Sequence, residues 1–237
     1  MIIFFYLILG ILPSIIWLSF FLKEDAHPES NRMIMKVFLC GLAAATIAVI
    51  LEGGFKYSLS KFIFSSPSSI IIIILNFFIG VALIEEVSKY IVVKKIAISD
   101  PEFDEPLDAM LYMVIVGLGF AAVENIFLLV GQAQPIINTL ILTVLRFVGA
   151  TFLHALCSGI VGFFLALSFF YTKKRVLLIA SGLILATILH GIYNFSIMTF
   201  EGSSKVSVPA FLLLGMGIFV FWGFQKLKTI VSVCKIK

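Results

Sequence analysis

The stretch IIIIILNFFIGVALIEEVSKYIVVKK (residues 70–95) is long and apolar enough to cross a lipid bilayer. A spanning helix needs about 20 mainly apolar residues, and this stretch supplies them before it ends at Lys94 and Lys95. Within it, three ionisable residues lie close together: Glu85, Glu86 and Lys89. The stretch therefore predicts a transmembrane helix that carries charged groups inside the membrane.

The whole chain has the composition of a membrane protein. Of its 237 residues, 61% are hydrophobic and 13% are charged, and the mean hydropathy is +1.17. Soluble proteins contain about 45–50% apolar and about 25% charged residues, so a soluble fold is excluded. The apolar runs are continuous rather than alternating, which favours helices over a β-barrel. We predict an all-α, polytopic transmembrane helical bundle of about seven helices.

We expect the chain to form a single integral membrane domain over residues 1–237. The first helix lacks the basic start and the small-residue cleavage site of a signal peptide, so we expect it to be retained. A short surface helix ending near Arg146 is predicted before the fifth span. The seven helices are predicted at about 2–22, 34–51, 68–93, 107–130, 147–171, 176–199 and 207–226.

The distribution of basic residues predicts the orientation. With the N-terminus outside, twelve Lys and Arg residues fall on inner segments and four on outer ones. Cytoplasmic loops carry an excess of Lys and Arg, so we expect a multi-pass plasma-membrane protein with a cytoplasmic C-terminus. The net charge of +4 reflects this asymmetry and does not indicate nucleic-acid binding.

Ionisable and polar residues occur inside four successive predicted helices. Inserting one such charge at a helix centre costs about 2.5–3.5 kcal/mol of free energy even on the translocon scale. We therefore favour one shared site over four unrelated polar groups on four helices. Taken singly, the Glu–Lys pair could be structural and each histidine an interhelical hydrogen-bonding group. The residues are Glu85, Glu86 and Lys89 in EEVSK, Glu124 in FAAVEN, His154 in HALCS, and His190 and Asn194 in HGIYN.

Helical spacing groups these side chains. Glu85 and Glu86 precede Lys89 by four and three residues, so either carboxylate can reach the ammonium group. His190 and Asn194 share one face for the same reason. Three ionised carboxylates beside one lysine would leave a net charge of about −2, so we expect at least one to hold a proton or to face water. Such a carboxyl suits general acid–base catalysis.

The order EExxK, FxxxE, a histidine on the next helix and HxxxN resembles the PrsW family of intramembrane proteases. That family is related to the type II CAAX prenyl endopeptidases and their bacterial Abi/CPBP relatives. The usual relatives have FxxxH, whereas Glu124 occupies that position here, which points to the PrsW branch. The resemblance implies proteolysis of a membrane-anchored protein, such as the anti-sigma factors that known PrsW proteins cut on the outer side.

By position, the resemblance implies that Glu85 and Glu86 are the catalytic pair, with one of them activating water. Lys89 would orient or neutralise the other glutamate. A histidine and Asn194 would donate hydrogen bonds to the developing oxyanion. The remaining implied site residues are Glu124, His154, His190 and Asn194.

Three alternatives stay open at this point. A zinc ion held by His154, His190 and Glu86 would also activate water, although we favour a mechanism without a cofactor. A proton-coupled transporter would also place Glu, Lys and His in the membrane, and a non-catalytic membrane scaffold is the third alternative. Arg146 is expected to be a snorkelling or lipid-contact residue.

Overall fold

A computed structural model describes residues 2–25, 27–62, 70–132 and 134–230 of the chain. Among these residues, seven helices are long and apolar enough to cross a membrane, and there is no strand. The predicted all-α class with about seven helices is therefore confirmed. We number the helices α1 (Ile2–Phe21), α2 (Asn31–Phe62), α3 (Ile70–Ala97), α4 (Pro106–Gln132), α5 (Ile136–Phe170), α6 (Arg175–Thr199) and α7 (Ser204–Ile230).

Two features used in the predictions fall outside the described residues. They are the start of the third helix at 68 and the basic residues beyond Ile230. That the whole chain is one membrane domain stays a prediction.

The second helix is longer than the predicted 34–51. It continues past Gly53 and Gly54 to Phe62, so Glu52, which we expected in a loop, is a half-buried residue within α2. The two glycines do not end the helix, because a backbone in lipid must keep its hydrogen bonds within the helix.

The predicted surface helix before the fifth span is instead the first part of α5. The chain is helical without interruption from Ile136, because a π-helical segment at Phe147–Thr151 joins two α-helical parts. Helix α3 has the same construction, with π segments at Asn76–Leu83 and Val93–Ala97 on either side of Ile84–Val92. π segments occur frequently at functional sites, and here they flank EEVSK and precede His154.

Helix α4 lies at the centre of the bundle. All its residues from Pro106 to Val123 are buried, and it packs against α1, α2 and α5. A methyl group at Gly117 would lie 2.8 Å from the carbonyl oxygen of His154, and one at Gly119 would lie 3.1 Å from the carbonyl carbon of Phe38. Gly117 therefore lets α5 approach α4 closely at the level of the site, and Gly119 does the same for α2.

Hydrogen bonds and ion pairs join the segments that connect the helices at one end of the bundle. Ser30 donates a hydrogen bond of 2.8 Å to Glu102, and Lys228 pairs with Glu24 at 2.6 Å. These contacts join the α1–α2 connection to the α3–α4 connection and to the end of α7. The three segments are those that the charge distribution assigns to the inner side, so their grouping supports the alternation of the helices.

We expect Gly119→Ala to destabilise the protein, because the added methyl meets backbone atoms of Phe38 that cannot move aside. Overpacking of this kind costs about 1–3 kcal/mol. The free energy of unfolding, measured by titration with a denaturing detergent, checks this value. Gly53→Ala is the matched control, because nothing lies within 4 Å of the added methyl. Equal stability of the two variants would contradict the tight contact between α2 and α4.

Candidate active site

Six of the seven predicted site residues converge in the structure. Helices α3, α4, α5 and α6 each contribute at least one of them, and five are almost completely buried, with exposures of 0–3%. Only Glu124 retains substantial access, with 24% of its side chain exposed. The residues that meet are Glu85, Glu86, Lys89, Glu124, His154 and His190.

The ammonium group of Lys89 lies at the middle of this cluster. It donates hydrogen bonds to Oε1 of Glu86 at 2.8 Å, to Nδ1 of His154 at 2.8 Å and, more weakly, to Oε2 of Glu85 at 3.4 Å. It also lies over the ring of Phe120, 4.6 Å from the ring centre. Three donor hydrogens thus meet three acceptors, and the aromatic face adds a favourable cation–π contact.

These bonds fix the tautomer of His154. An ammonium group only donates, so Nδ1 of His154 must accept and Nε2 must carry the hydrogen. That hydrogen is donated to Oε2 of Glu124 at 2.9 Å. Both ring nitrogens of His154 are therefore engaged.

His190 differs, because one of its nitrogens remains available. Its Nδ1 lies 2.8 Å from Oε1 of Glu86 and donates to that carboxylate, which leaves a lone pair on Nε2. Nε2 has no hydrogen-bond partner among the described residues, and its nearest carboxylate oxygen is Oε2 of Glu85 at 3.8 Å. Glu86 thus orients His190 in the way that a carboxylate orients a catalytic imidazole.

Oε2 of Glu85 lies near both histidines but beyond direct hydrogen-bond distance of either. It lies 3.7 Å from Nδ1 of His154 and 3.8 Å from Nε2 of His190, and the two rings are perpendicular with centres 5.2 Å apart. A water molecule can bridge polar atoms that are more than 3.5 Å apart. A water molecule beside Glu85 could therefore donate to Glu85 and to His190.

Two residues of the site were not predicted as members of it. Arg146 pairs with Oε2 of Glu124 at 3.1 Å and donates to the side-chain oxygen of Asn125, so its assignment as a lipid-contact residue was wrong. Asn125 in turn donates to Thr151 and to the backbone of Gly10. The signal that could have found them is their position, since Asn125 follows Glu124 directly and Arg146 interrupts an apolar helix.

Arg146 also changes the charge balance of the cluster. Three carboxylates, Glu85, Glu86 and Glu124, now face two cations, Lys89 and Arg146. The net charge with all three ionised is about −1 rather than the predicted −2. Glu86 and Glu124 each have a cation within 3.1 Å, whereas Glu85 has its closest cation at 3.4 Å. Glu85 is thus the carboxylate with the longest contact to a cation in the cluster.

Asn194 is not part of the hydrogen-bonded cluster. It lies one turn after His190 on α6 and is half-buried. Among the described residues, its side chain has no hydrogen-bond partner. Its amide is therefore free to donate to another group.

The cluster contains residue types that bind zinc. Ligand atoms of Glu85, Glu86, His154 and His190 all lie within 4.8 Å of one another. Lys89 donates to Nδ1 of His154 and to Oε1 of Glu86, whereas Oε2 of Glu86 has no hydrogen-bond partner among the described residues. A metal ion that used Nδ1 of His154 would therefore displace the ammonium group of Lys89.

Comparison with known families identifies one match. The profile of a family described as PrsW family intramembrane metalloprotease matches residues 29–223, which include every residue of the cluster.

Curated relatives agree with this match. Protease PrsW of Geobacillus kaustophilus is 31% identical over 194 residues, which cover 81% of this chain and 79% of the relative. Protease PrsW of Oceanobacillus iheyensis is 28% identical, with 86% and 88% covered. Protease PrsW of Bacillus subtilis is 28% identical, with 94% of each chain covered. No solved structure matches the chain with significance.

We expect Lys89→Met to be strongly destabilising, because it leaves Glu85 and Glu86 buried without their cation. Breaking a buried ion pair in this way costs about 3–5 kcal/mol. Lys94→Met, at an exposed position of the same helix, is the matched control and is expected to change stability by less than about 1 kcal/mol. The measurement is the free energy of unfolding in detergent, and a similar small effect of both substitutions would contradict the central role of the ammonium group.

Proposed function

Because the chain belongs to the PrsW family of intramembrane proteases, we propose that it hydrolyses a peptide bond of a membrane-anchored protein with a water molecule activated by Glu85. The observation that carries this mechanism is the separation of 3.8 Å between Oε2 of Glu85 and Nε2 of His190, too long for a direct hydrogen bond. Both atoms accept hydrogen bonds, so a water molecule donating to both would keep its own lone pairs free for attack.

The proposed reaction proceeds in two proton transfers. Glu85 takes a proton from the water as its oxygen bonds to the carbonyl carbon of the scissile peptide, which gives a tetrahedral oxyanion. Protonated Glu85 then gives that proton to the peptide nitrogen as the carbon–nitrogen bond breaks. The products are a carboxylic acid and an amine, and Glu85 returns to its ionised form. A positioned acid–base group of this kind contributes about 10²–10⁴-fold to a rate.

The other residues position the reacting groups. Glu86 fixes the tautomer of His190, and Lys89 holds Glu86 and His154 in place through bonds of 2.8 Å. Asn194 is proposed as an oxyanion donor, because its unpaired amide lies one turn from His190. Glu124 and Arg146 form the exposed flank of the site, where the substrate would arrive.

The proposed substrate is a protein with a transmembrane anchor, of the anti-sigma-factor kind by family resemblance. The site lies nearer the end of α4 that the orientation prediction places outside, since Glu124 is eight residues, or about 12 Å, from Gln132. We therefore propose cleavage near the outer face of the plasma membrane, with the N-terminus outside and the C-terminus in the cytoplasm.

We expect Glu85→Gln and Glu86→Gln each to reduce cleavage at least about 100-fold, since the first removes the base and the second releases His190. Cleavage of a tagged single-pass anti-sigma-factor reporter in proteoliposomes measures this loss. Glu201→Gln, at an exposed position outside the site, is the control for folding and insertion and should retain full cleavage. Full cleavage by the Glu85→Gln variant would exclude Glu85 as the base.

We expect cleavage to persist after treatment with a zinc chelator, because the lone pair on Nδ1 of His154 accepts a hydrogen bond from Lys89 and is not available to a metal ion. Elemental analysis of the purified protein, run beside the reporter assay, is the measurement. The zinc-dependent alternative is favoured by the description of the matched family and by the close spacing of the two histidines and two glutamates. One zinc per chain together with chelator-sensitive cleavage would establish that alternative and overturn the metal-free mechanism.

A further inference from the structure

A large groove lies beside the site, between α5, α6 and α7. Its volume is about 1200 Å³, and its lining is mainly aliphatic. Leu214 and Ile218 of α7 line it and are 61% and 65% exposed, so the groove opens to the lipid-facing surface of the bundle. The polar side chains that line it are those of Arg146, Tyr193 and Lys205.

The wall of the groove is continuous with the catalytic cluster. Arg146 lines the groove and also pairs with Glu124 at 3.1 Å. The π segment Phe147–Thr151 contributes Gly149 and Ala150 to the wall and leads directly into the helix that carries His154. An occupant of the groove would therefore touch the exposed flank of the site.

The shape of the groove fits a helix. Small residues of α5 and α7 line it, namely Ala150, Ala210 and Gly217, and such residues let another backbone approach closely. A methyl group at Gly217 would meet only Phe152, at 3.8 Å, so this wall has room. A helix about 10 Å wide with a rise of 1.5 Å per residue fills the groove with roughly ten residues.

An unpaired hydroxyl group points to the chemistry of the occupant. Tyr193 is only 4% exposed, lines the groove beside Gly149 and lies three residues after His190. Among the described residues, its hydroxyl has no hydrogen-bond partner. Tyr193 lies six residues, or about 9 Å, from the end of α6 at Thr199. A lipid acyl chain at that depth offers no acceptor, whereas an unwound peptide carries one carbonyl per residue.

We propose that the groove binds the transmembrane segment of the substrate, with the hydroxyl of Tyr193 donating to a backbone carbonyl beside the scissile bond. This inference rests on the proposed function, because it assumes a membrane-anchored substrate. The helical part of that segment lies along α7, and its unwound end reaches the flank formed by Arg146 and Glu124.

Photo-crosslinking tests occupancy without requiring cleavage. A photoreactive amino acid replaces Leu214 in the Glu85→Gln variant, which is mixed with the tagged anti-sigma-factor reporter in proteoliposomes. The matched control carries the same group at Ile184, which is 58% exposed on α6 outside the groove. We expect crosslinks to the reporter at position 214 at least roughly fivefold above those at 184, since contact with the groove is specific. Equal yields, or adducts with phospholipid alone, would overturn the inference.

Groove filling tests whether binding there leads to cleavage. Gly217→Leu places a side chain in the groove, whereas Gly215→Leu places the same side chain on the same helix in open space. We expect the first variant to cleave the reporter roughly 10-fold or more slowly and the second to cleave it normally. Tyr193→Phe is expected to raise KM roughly 2- to 10-fold with a smaller change in kcat, as loss of one hydrogen bond to bound substrate would do.

These outcomes separate the two proposals. Cleavage by the unmodified protein that is unaffected by Gly217→Leu would overturn the groove inference and leave the proposed function intact. Absence of cleavage by the unmodified protein would overturn the proposed function, while the crosslinks at position 214 would still show whether the reporter occupies the groove.

Discussion

The buried ammonium group of Lys89 organises the polar cluster. A charged amine in a bilayer is stable only if its donors are satisfied, because an unpaired buried ion costs several kcal/mol. Lys89 meets this requirement with Glu85 and Glu86 from its own helix and with His154 from α5. The same bonds determine which nitrogen of His154 carries its hydrogen, and they hold Oε1 of Glu86, the oxygen that also accepts from His190. One cation thus joins helices α3 and α5 directly and α6 through Glu86.

The charged flank of the site complements its buried centre. Glu85 and His190 are shielded from solvent, so electrostatic interactions between them are stronger than in water. Glu124 and Arg146 are partly exposed, and they lie between the buried pair Glu85 and His190 and the apolar groove. Gly117 of α4 makes this arrangement possible, because it allows α5 to bring the backbone of His154 close to α4.

Most of the site could be predicted from the sequence, because ionisable residues inside membrane helices are costly and therefore informative. Glu85, Glu86 and Lys89 are recognisable by spacing alone, and the order of motifs supplied the family. Arg146 was assigned wrongly, because an arginine near a predicted helix end is also compatible with snorkelling to the membrane surface. Its partner Glu124 lies on another helix, and only the three-dimensional structure brings the two together. The length of α2 was missed for a different reason, since glycines that end helices in water are tolerated in lipid.

The π segments of α3 and α5 give these two helices a way to rotate locally without unwinding. A π turn holds one residue more than an α turn, and that surplus residue can pass along a helix by exchanging one hydrogen bond at a time. No backbone group is exposed to lipid during the exchange, so the membrane permits it where it would forbid unwinding. Each passage rotates the residues it crosses by about 100° around the helix axis. The segment Asn76–Leu83 ends immediately before Ile84. A shift of its surplus residue towards the C-terminal end of α3 would therefore rotate Glu85 and Glu86 together relative to the other helices of the bundle.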